Sequence, residues 1–360
     1  MSLEANNTMT LGYASFVVSI GVVIILIAGI IYYYLRKTGE VSRKCGSFDT
    51  QSAISSVTRG SDTYVLRDYY VQCAYNACAI YKNKNSFVDL CAVQNALRQG
   101  ARGLDFEIYS INGEPVVATS CLSTYNIKQT FNYLKLTDVL SYLHSNAFST
   151  MCPNSYDPLI LHFRVKSEKN GILDSIASAI TTNLKDRLLP PKFSEAKENL
   201  GEVPVPLLRE KVIIAVDTTP TDIKSSDLWE LTNISPSTGF VRVLRNYDVE
   251  FNQDPNELKA YNRYNMTITL PDITCGYANP NALIHMQSGC QFIFMAFQNA
   301  DTNLEAYTNV FTTANKAFVL KKSSLRYIEK AVPKAPAQDP PLSYAPRHTP
   351  VGNGALTFTL

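Results

Sequence analysis

The chain has 360 residues, which is enough for one large domain with appendages, because a (β/α) barrel takes about 250 residues. Its 33 Lys and Arg residues against 31 Asp and Glu residues leave a formal charge of only +2, and no cationic stripe carries interleaved aromatic residues. The composition therefore argues against a nucleic-acid-binding protein, for which a clustered basic surface is typical.

The first predicted element is an apolar run, LGYASFVVSIGVVIILIAGIIYYYL, which extends from Leu11 to Leu35 without a charged residue. A bilayer core needs about 20 apolar residues as helix, so the run predicts a transmembrane helix behind a short N-terminus of residues 1–10. Tyr32 to Tyr34 suit the membrane interface at its end. A signal peptide fits less well, because its apolar core is shorter and its front is basic, whereas this front carries only Glu4.

Basic residues follow the apolar run directly; they are Arg36, Lys37, Arg43 and Lys44. The positive-inside rule therefore places the remainder of the chain on the cytosolic side of the membrane. Residues 36–63 are polar, with frequent Gly, Ser and Thr, and predict a stalk between the membrane and the large domain.

The eight cysteines form no CxxC pair, and the four histidines lie at no helpful spacing from them, so no zinc site is predicted. Cys73 and Cys290 lie inside apolar strand patterns, as buried free thiols do. Free thiols agree with a reducing compartment, and hence with a cytosolic domain.

From residue 64 to residue 330, short strand patterns alternate with helical ones, of which 86–99, 136–148 and 172–189 are the clearest helices. The candidate strands are rich in β-branched and aromatic residues and are bounded by Gly, Pro or Asn. They are Tyr69–Ala74, Gly103–Tyr109, Pro115–Ala118, Leu159–Val165, Lys211–Val216, Phe240–Leu244, Met266–Leu270 and Cys290–Phe297. Eight strands in alternation with helices predict a closed parallel (β/α)8 barrel of the TIM type, which is an α/β fold.

The last segment, residues 331–360, is rich in proline and begins AVPKAPAQDPPLSYAP. Such a composition cannot form a packed core, so it indicates either an extended arm or a disordered tail. Tyr344 and the apolar end ALTFTL favour an arm that binds a partner.

Short motifs in the barrel region, from Arg67 to Arg326, stand in an order that resembles eukaryotic-type phosphoinositide-specific phospholipase C. Those of the first half include AYNA at 74–77, GARGLDFE at 100–107 and REKVII at 209–214. Those of the second half include NP at 279–280, GCQ at 289–291, MAFQN at 295–299 and FVLK at 318–321. The resemblance implies that both halves of that family's catalytic barrel, X and Y, are present.

The layout of anchor, barrel and tail is similar to phospholipase C-like proteins carried by large nucleocytoplasmic DNA viruses. The segments that carry this likeness are RDYY at 67–70, LDFEIY at 104–109 and QDPPLSYAPR at 338–347. A protein that faces the cytosol on a reticulum-derived membrane faces the capsid once that membrane lies inside a virion. The resemblance therefore implies a barrel between the inner membrane and the capsid shell.

The family resemblance also implies a site that uses calcium, held by an Asn and three carboxylates, to stabilise charge on the phosphate. Asn76, Asp105 and Glu107 take three of these ligand positions, and the fourth falls on Arg164. A guanidinium cannot bind calcium and repels it. We therefore expect no metal or other cofactor, and a buried ion-pair cluster of Arg164 with Asp105 and Glu107 in its place.

The two catalytic histidine positions of the family fall on Tyr75 and Thr119, neither of which shuttles protons well at neutral pH. The positions of the phosphate-binding lysines fall on Ala215 and Asp217, and Asp217 would repel a phosphoinositide. These replacements predict that no catalytic residue remains.

Two other histidines lie in the barrel region and are predicted to be structural. His162 alternates with apolar residues on a strand pattern and has no obvious carboxylate partner in the sequence. His285 lies in a helical pattern before Gly289.

The leading interpretation is a catalytically inactive phospholipase C-like barrel that serves as a membrane-anchored virion component, namely a minor capsid protein. The segment Leu11–Leu35 would lie in the bilayer, while the barrel surface and residues 331–360 would bind capsid or other virion proteins. One alternative is a residual phosphoinositide phosphodiesterase that uses Asn76, Asp105 and Glu107 with calcium. Another is a non-catalytic module that binds a lipid head group or a peptide at the barrel mouth.

Overall fold

The computed structural model describes residues 2–48, 52–57, 64–217, 222–275, 278–328, 346, 348–354 and 356–359, with the backbone alone at 2–14, 349 and 358. The chain divides into two compact units, residues 1–327 and 328–360, and each is described by itself.

The first element is a single helix, α1, which runs over Ser2–Gly46. From Ser15 onward it is unburied and reaches a mean hydropathy of 2.7, which makes it a candidate membrane span by length and composition. The predicted transmembrane segment Leu11–Leu35 lies within this helix. The helix does not stop there, because the sequence contains no proline before Gly46, and so it continues into the predicted stalk.

Ten strands form one sheet that curves into a TIM-type barrel. They are β1 (Tyr69–Ala74), β2 (Gly103–Ile111), β3 (Glu114–Ala118), β4 (Leu134–Lys135), β5 (Leu159–Val165), β6 (Val212–Asp217), β7 (Val241–Arg245), β8 (Met266–Leu270), β9 (Phe292–Met295) and β10 (Phe318–Leu320). The parallel strands follow the order β6-β5-β2-β1-β9-β8-β7. Between β6 and β7, Ile234 makes a single parallel bridge to Ala215, and the described residues contain no ladder there.

The prediction of a barrel of eight parallel strands is wrong for one strand. The segment that was taken as the third barrel strand is β3, which pairs antiparallel with β2, so that Val116 lies opposite Tyr109. Asn112 and Gly113 form the turn between them with φ values of 53° and 90°, and Asn-Gly is the residue pair that tight hairpins favour. Strand periodicity alone cannot show this, because β3 is buried on both faces like its parallel neighbours.

Helices cover the outside of the barrel. They are α2 (Leu90–Arg98), α3 (Leu136–Asn146), α4 (Ile172–Leu184), α5 (Asp227–Leu231), α6 (Asn246–Glu250), α7 (Pro255–Tyr264), α8 (Ala282–Gln287) and α9 (Thr302–Ala314). The three helices expected from periodicity are present but shorter than predicted. Helix α2 begins after Asp89, whose carboxylate accepts a hydrogen bond from the Cys91 amide, and not at residue 86, where the predicted helix begins.

Two disulfide bonds are present, Cys45–Cys91 and Cys121–Cys275. The prediction of buried free thiols is confirmed at Cys73 and Cys290, whereas the two disulfide bonds were not predicted. The bonded pairs are separated by 46 and 154 residues, and spacing in the sequence cannot reveal partners that only the fold brings together. Because disulfides are typical of oxidising compartments, these bonds remove the thiol argument for a reducing one.

The C-terminal part of α1 lies against loops at the carboxyl ends of the barrel strands, the end that is called the mouth below. Three contacts hold it there: the Cys45–Cys91 disulfide, the ring contact of Tyr34 with Phe87 at 5.8 Å and the ring contact of Tyr33 with Phe131 at 6.4 Å. The helix is therefore fixed to the barrel as well as to any membrane that it spans.

In the second unit, β11 (His348–Val351) and β12 (Leu356–Thr359) form a two-stranded antiparallel hairpin. Most of the predicted proline-rich arm, residues 331–345, lies outside the described residues. The docking of the arm on a partner stays a prediction.

The segment 52–57 is tied to the barrel through the Asp157 carboxylate, which accepts a hydrogen bond of 2.8 Å from the Val57 amide. The other oxygen of Asp157 is buried and has no partner among the described residues. Burial raises the pKa of Asp157 to about 6, although Arg102 opposes the shift. A carboxyl group whose folded pKa lies above its ordinary value of about 4 stabilises the fold below that pH, and this contribution is lost as the pH rises through 6.

We therefore expect the Asp157→Asn variant to be more stable than the wild type by up to about 3 kcal/mol at pH 7, and to gain little at pH 4. The asparagine keeps an acceptor for the Val57 amide and removes the buried charge. Urea unfolding at both pH values measures the difference. Asp138→Asn, at an exposed position, is the control, and a gain that does not depend on pH would contradict the argument.

Candidate functional site

The candidate site lies inside the mouth of the barrel and is built on three neighbouring strands. In the parallel register of β2 and β5, Asp105 stands opposite His162, and Glu107 stands opposite Arg164. Alternation along a strand sends all four side chains to the same face, which here is the barrel interior. Asn76 follows the end of β1, and all five residues are at most 3% exposed.

The Arg164 guanidinium occupies the centre of this cluster. Its Nε and Nη2 atoms donate to the two carboxylate oxygens of Asp105 at 2.8 and 2.7 Å, which is a bidentate pair. Its Nη1 donates to Glu107 Oε1 at 2.7 Å, and Nη2 also donates to Asn76 Oδ1 at 2.7 Å. The ion-pair cluster that the sequence suggested is therefore present, and Asn76 belongs to it.

The remaining carboxylate capacity is used by other neighbours. Asp105 Oδ1 lies 2.8 Å from His162 Nδ1. Glu107 Oε2 accepts hydrogen bonds from the Tyr109 hydroxyl at 2.8 Å and the Ser120 amide at 2.9 Å. The expectation that His162 lacks a carboxylate partner is wrong, because its partner comes from the adjacent strand. Tyr109 and Ser120 were missed as members of the cluster, although the segment LDFEIY includes Tyr109 and strand alternation places Tyr109 on the same face as Glu107.

Electrostatics keep the Asp105–Arg164 pair of this cluster ionised. Burial alone would raise the pKa of Asp105, but the Arg164 charge and the hydrogen bonds from Arg164 and His162 outweigh it and hold that pKa well below its usual range. Burial disfavours the Arg164 cation, yet the charge of Asp105 and the neighbouring Glu107 hold its pKa above the ordinary value. The Asp105–Arg164 pair therefore stays charged near neutral pH.

These residues do not fit a calcium ion. Calcium takes 6 to 8 oxygen ligands at about 2.3–2.6 Å, and the carboxylate oxygens and Asn76 Oδ1 already accept hydrogen bonds, four of them from one guanidinium. An ion in this place would have to displace Arg164 and leave its cation buried without a partner. Outside this cluster, a possible ligand group within the described ranges is Cys45, Asp89 and Cys91, but its two sulfurs form a disulfide.

The residues at the family's histidine positions are buried, and each makes a specific contact with a neighbouring residue. The Tyr75 ring packs on the Arg164 guanidinium at 4.6 Å from its centroid, and burial raises the pKa of the Tyr75 phenol. The Thr119 hydroxyl donates to the Asn83 carbonyl oxygen at 3.0 Å. Neither side chain can act as a general acid or base near neutral pH.

The predicted phosphate-clamp positions lie on β6. Ala215 is buried, and Asp217 ends the strand opposite Arg164 in the register with β5. The sequence argument missed Lys166, which is a buried cation at the mouth. Its Nζ donates to the Ser123 carbonyl oxygen at 3.4 Å and lies 5.0 Å from the Tyr125 ring centroid, and burial lowers its pKa.

A cavity of about 330 Å³ opens beside the cluster, and Tyr75 lies in its wall. Within the described part of the chain, the charged residues that line it are Glu250 and Asp272, without a lysine or an arginine. The Asn246 amide donates to both carboxylates, at 2.9 and 3.2 Å. The open part of the mouth is therefore polar and acidic, which is unfavourable for a phosphorylated head group.

His285 supports this wall from helix α8, where a helix was predicted. Its Nε2 lies 3.0 Å from Asn246 Oδ1, and burial lowers its pKa to about 4. The neutral imidazole is a structural partner of Asn246 at physiological pH.

Comparisons with known proteins agree with this architecture. Residues 63–217 match the family model described as phosphatidylinositol-specific phospholipase C, X domain. The crystal structure of S. officinalis PLC21 is similar with a TM-score of 0.60 and 18% identity, over 74% of this chain and 38% of that one. That of L. pealei PLC21 gives a TM-score of 0.60 and 17% identity, again over 74% and 38%. The chain thus spans well under half of these two proteins, and no curated protein matches its sequence.

Proposed function

From the premise that this chain carries a phospholipase C-like barrel, we propose that the barrel is catalytically inactive and serves as a membrane-anchored structural protein. The observation that carries the first part is the position of Arg164, whose guanidinium takes the hydrogen-bonding capacity of Asp105, Glu107 and Asn76. These are the residues that the family resemblance assigns to calcium.

In this proposal, the barrel mouth meets none of three requirements of phosphodiester cleavage. Proton transfer lacks its groups, because Tyr75 and Thr119 stand at the histidine positions. Charge neutralisation by a metal lacks a place for the ion. Recognition of a phosphorylated ring lacks the lysines of the family's clamp positions, because Ala215 and Asp217 stand there on β6, and the open cavity is acidic. We propose accordingly that the protein uses no cofactor.

For the structural part, we propose a virion component, a minor capsid protein that links an inner membrane to the capsid shell. The support comes from the sequence likeness to viral phospholipase C-like proteins and from the anchor helix α1, which is a candidate span. The barrel surface and residues 331–360 are the proposed contacts with other virion proteins. These contacts are proposed away from the mouth, because α1 itself lies against the loops there.

The proposed location is the cytosolic side of a membrane that later becomes the inner membrane of the particle. Basic residues that follow the apolar run support the cytosolic side. The two disulfides are compatible with it if they form once the particle has enclosed the barrel. There, dioxygen or a thiol oxidase would accept two electrons and two protons from each thiol pair, without renewal of the cytosolic reductants.

The test of inactivity is a phosphoinositide hydrolysis assay on the full chain in detergent micelles. Phosphatidylinositol and its bisphosphate are offered with millimolar calcium and, separately, with a chelator, beside an active phospholipase C as the positive control. We expect no turnover above the blank under either condition. Calcium-dependent turnover that disappears in Glu107→Ala would overturn the proposal and make Asp105 and Glu107 metal ligands.

The structural role has a test of its own in purified particles that contain the chain. Mild detergent dissolves the inner membrane, and the shell is then sedimented. We expect the chain to remain with the shell, and its complete release with the lipid would contradict the role.

A further inference from the structure

A second surface feature, which we call the lower groove, lies between α7, α8, α9 and β10 and has a volume of about 740 Å³. Its floor is apolar and consists of Leu283, Met286, Val310, Val319 and Leu320. Leu283 is 42% exposed and Leu320 is 36% exposed, so part of this floor meets solvent. Contiguous exposed apolar surface of this kind commonly marks a place where another molecule binds.

The rim of the lower groove is basic. Lys259, Arg263 and Lys322 line it, and the described residues add no acidic side chain to it. Among the described residues, neither lysine takes part in a salt bridge. Arg263 uses its Nε on the Ser324 carbonyl oxygen at 3.0 Å. An apolar floor inside a cationic rim is complementary to a segment that carries apolar residues flanked by carboxylates.

The groove also borders a strand edge. Strand β10 pairs antiparallel with β1, with Leu320 opposite Tyr69, and the described part of the chain supplies no strand on its other side. An unpaired edge can accept the main chain of an extended segment.

The position of the groove matters as much as its chemistry. Tyr70, at the start of β1, lies in its wall, together with Met286 and Arg263 near the ends of α8 and α7. Since helices run back from the mouth, these residues lie at the opposite end of the barrel. The contacts of α1 are at the mouth, so the groove faces away from the anchor.

We propose that the lower groove binds an extended, acidic segment of a partner protein. Apolar side chains of that segment lie on the floor, its carboxylates pair with Lys259 and Lys322, and its main chain adds to β10. The proposal rests on the structural role above, in which the partner belongs to the shell.

The test is site-specific photocrosslinking in the full chain, in cells that assemble the particle. A photoreactive phenylalanine analogue replaces Leu320 and, as the matched control, Leu207, which is 73% exposed elsewhere on the barrel. Crosslinked peptides are identified by mass spectrometry. We expect a crosslink from position 320 to a segment that combines apolar and acidic residues, and none to that segment from position 207.

A charge-reversal pair makes the test specific. Lys259→Glu with Lys322→Glu is expected to lower the crosslink yield from position 320 by about tenfold, because two rim charge pairs become repulsive. Lys185→Glu with Lys224→Glu, at exposed positions elsewhere, is expected to leave the yield unchanged. Thermal unfolding checks that both double variants fold.

Equal crosslink yields from positions 320 and 207 would overturn the proposal, as would a crosslink to a second copy of this chain or to a basic segment. A crosslink yield from position 320 that is unchanged by Lys259→Glu with Lys322→Glu would also overturn it. None of these affects the proposed function, since absence of hydrolysis and retention by the shell are measured separately.

Discussion

Replacement of Arg164 by methionine is expected to lower the free energy of unfolding by about 3–5 kcal/mol, the usual cost of removing one partner from a buried ion pair. The carboxylates of Asp105 and Glu107 would remain in the barrel interior, where each is at most 2% exposed, with much of their hydrogen bonding lost. Denaturant unfolding of the full chain in detergent, followed by tryptophan fluorescence or circular dichroism, measures the loss.

The Arg164→Glu variant separates the charge of the cluster from its shape. It places a third carboxylate beside Asp105, Glu107 and the Asn76 amide oxygen, a set of oxygen ligands that calcium accepts. We expect this variant to be at least as unstable as the methionine variant in a chelator, and to regain stability in millimolar calcium by mass action. The wild type should show no such response.

Two controls make the result interpretable. Arg187→Met removes an arginine whose carboxylate contacts are 3.5 and 3.6 Å long and partly exposed, so its expected cost is within about 1 kcal/mol. Magnesium in place of calcium tests ion selectivity. If calcium raises the unfolding temperature of the wild type, the Arg164 cluster is not a replacement for a metal site, and the proposal of inactivity loses its basis.

Removal of the Cys121–Cys275 disulfide is expected to cost about 2–5 kcal/mol of unfolding free energy. The bond joins the loop after β3 to the segment after β8 and spans a sequence separation of 154 residues. Without it, the unfolded chain gains conformational freedom and the mouth loses a covalent connection between its two halves. The variant Cys121→Ser with Cys275→Ser, studied by thermal unfolding beside the wild type, measures the effect.

The second disulfide supplies an internal comparison. Cys45–Cys91 spans only 46 residues, so loop-closure entropy predicts that its removal costs about 1 kcal/mol less than removal of Cys121–Cys275. Equal stability of the wild type and either serine variant would show that the corresponding bond does not constrain the folded chain in solution.

Most barrel strands could be predicted from the sequence because each is a short apolar run with clear boundaries. The segments Leu159–Val165 and Met266–Leu270 are observed with the predicted ends. The direction of a strand relative to its neighbours could not be predicted in the same way, because the hydrophobic periodicity is the same for parallel and antiparallel strands. For β3, the Asn112-Gly113 pair was the available signal, and it indicates a hairpin with β2.

The candidate site was predictable where the family resemblance assigns positions to it. The resemblance implies that Asp105, Glu107 and Arg164 belong to one site, and the register of β2 and β5 brings them together at the mouth. The partner of His162 depends on the register between β2 and β5, which one sequence does not fix. The disulfide partners likewise depend on how loops far apart in the chain meet in the fold.

The continuity of α1 has a mechanical consequence. A flexible linker would allow the distance between the barrel and the membrane to vary, whereas a helix is a spacer of nearly fixed length. The helix rises by about 16 Å from Tyr34, at the end of the apolar run, to Cys45, where a disulfide bond joins α1 to α2. In the proposed arrangement α1 spans a bilayer, and the contacts of Phe87 and Phe131 with the tyrosines would then place the loops of the mouth close to the head groups. Because the Cys45–Cys91 disulfide also bonds the helix to α2, the protein itself would set a constant distance between the lipid and a partner bound at the far end of the barrel.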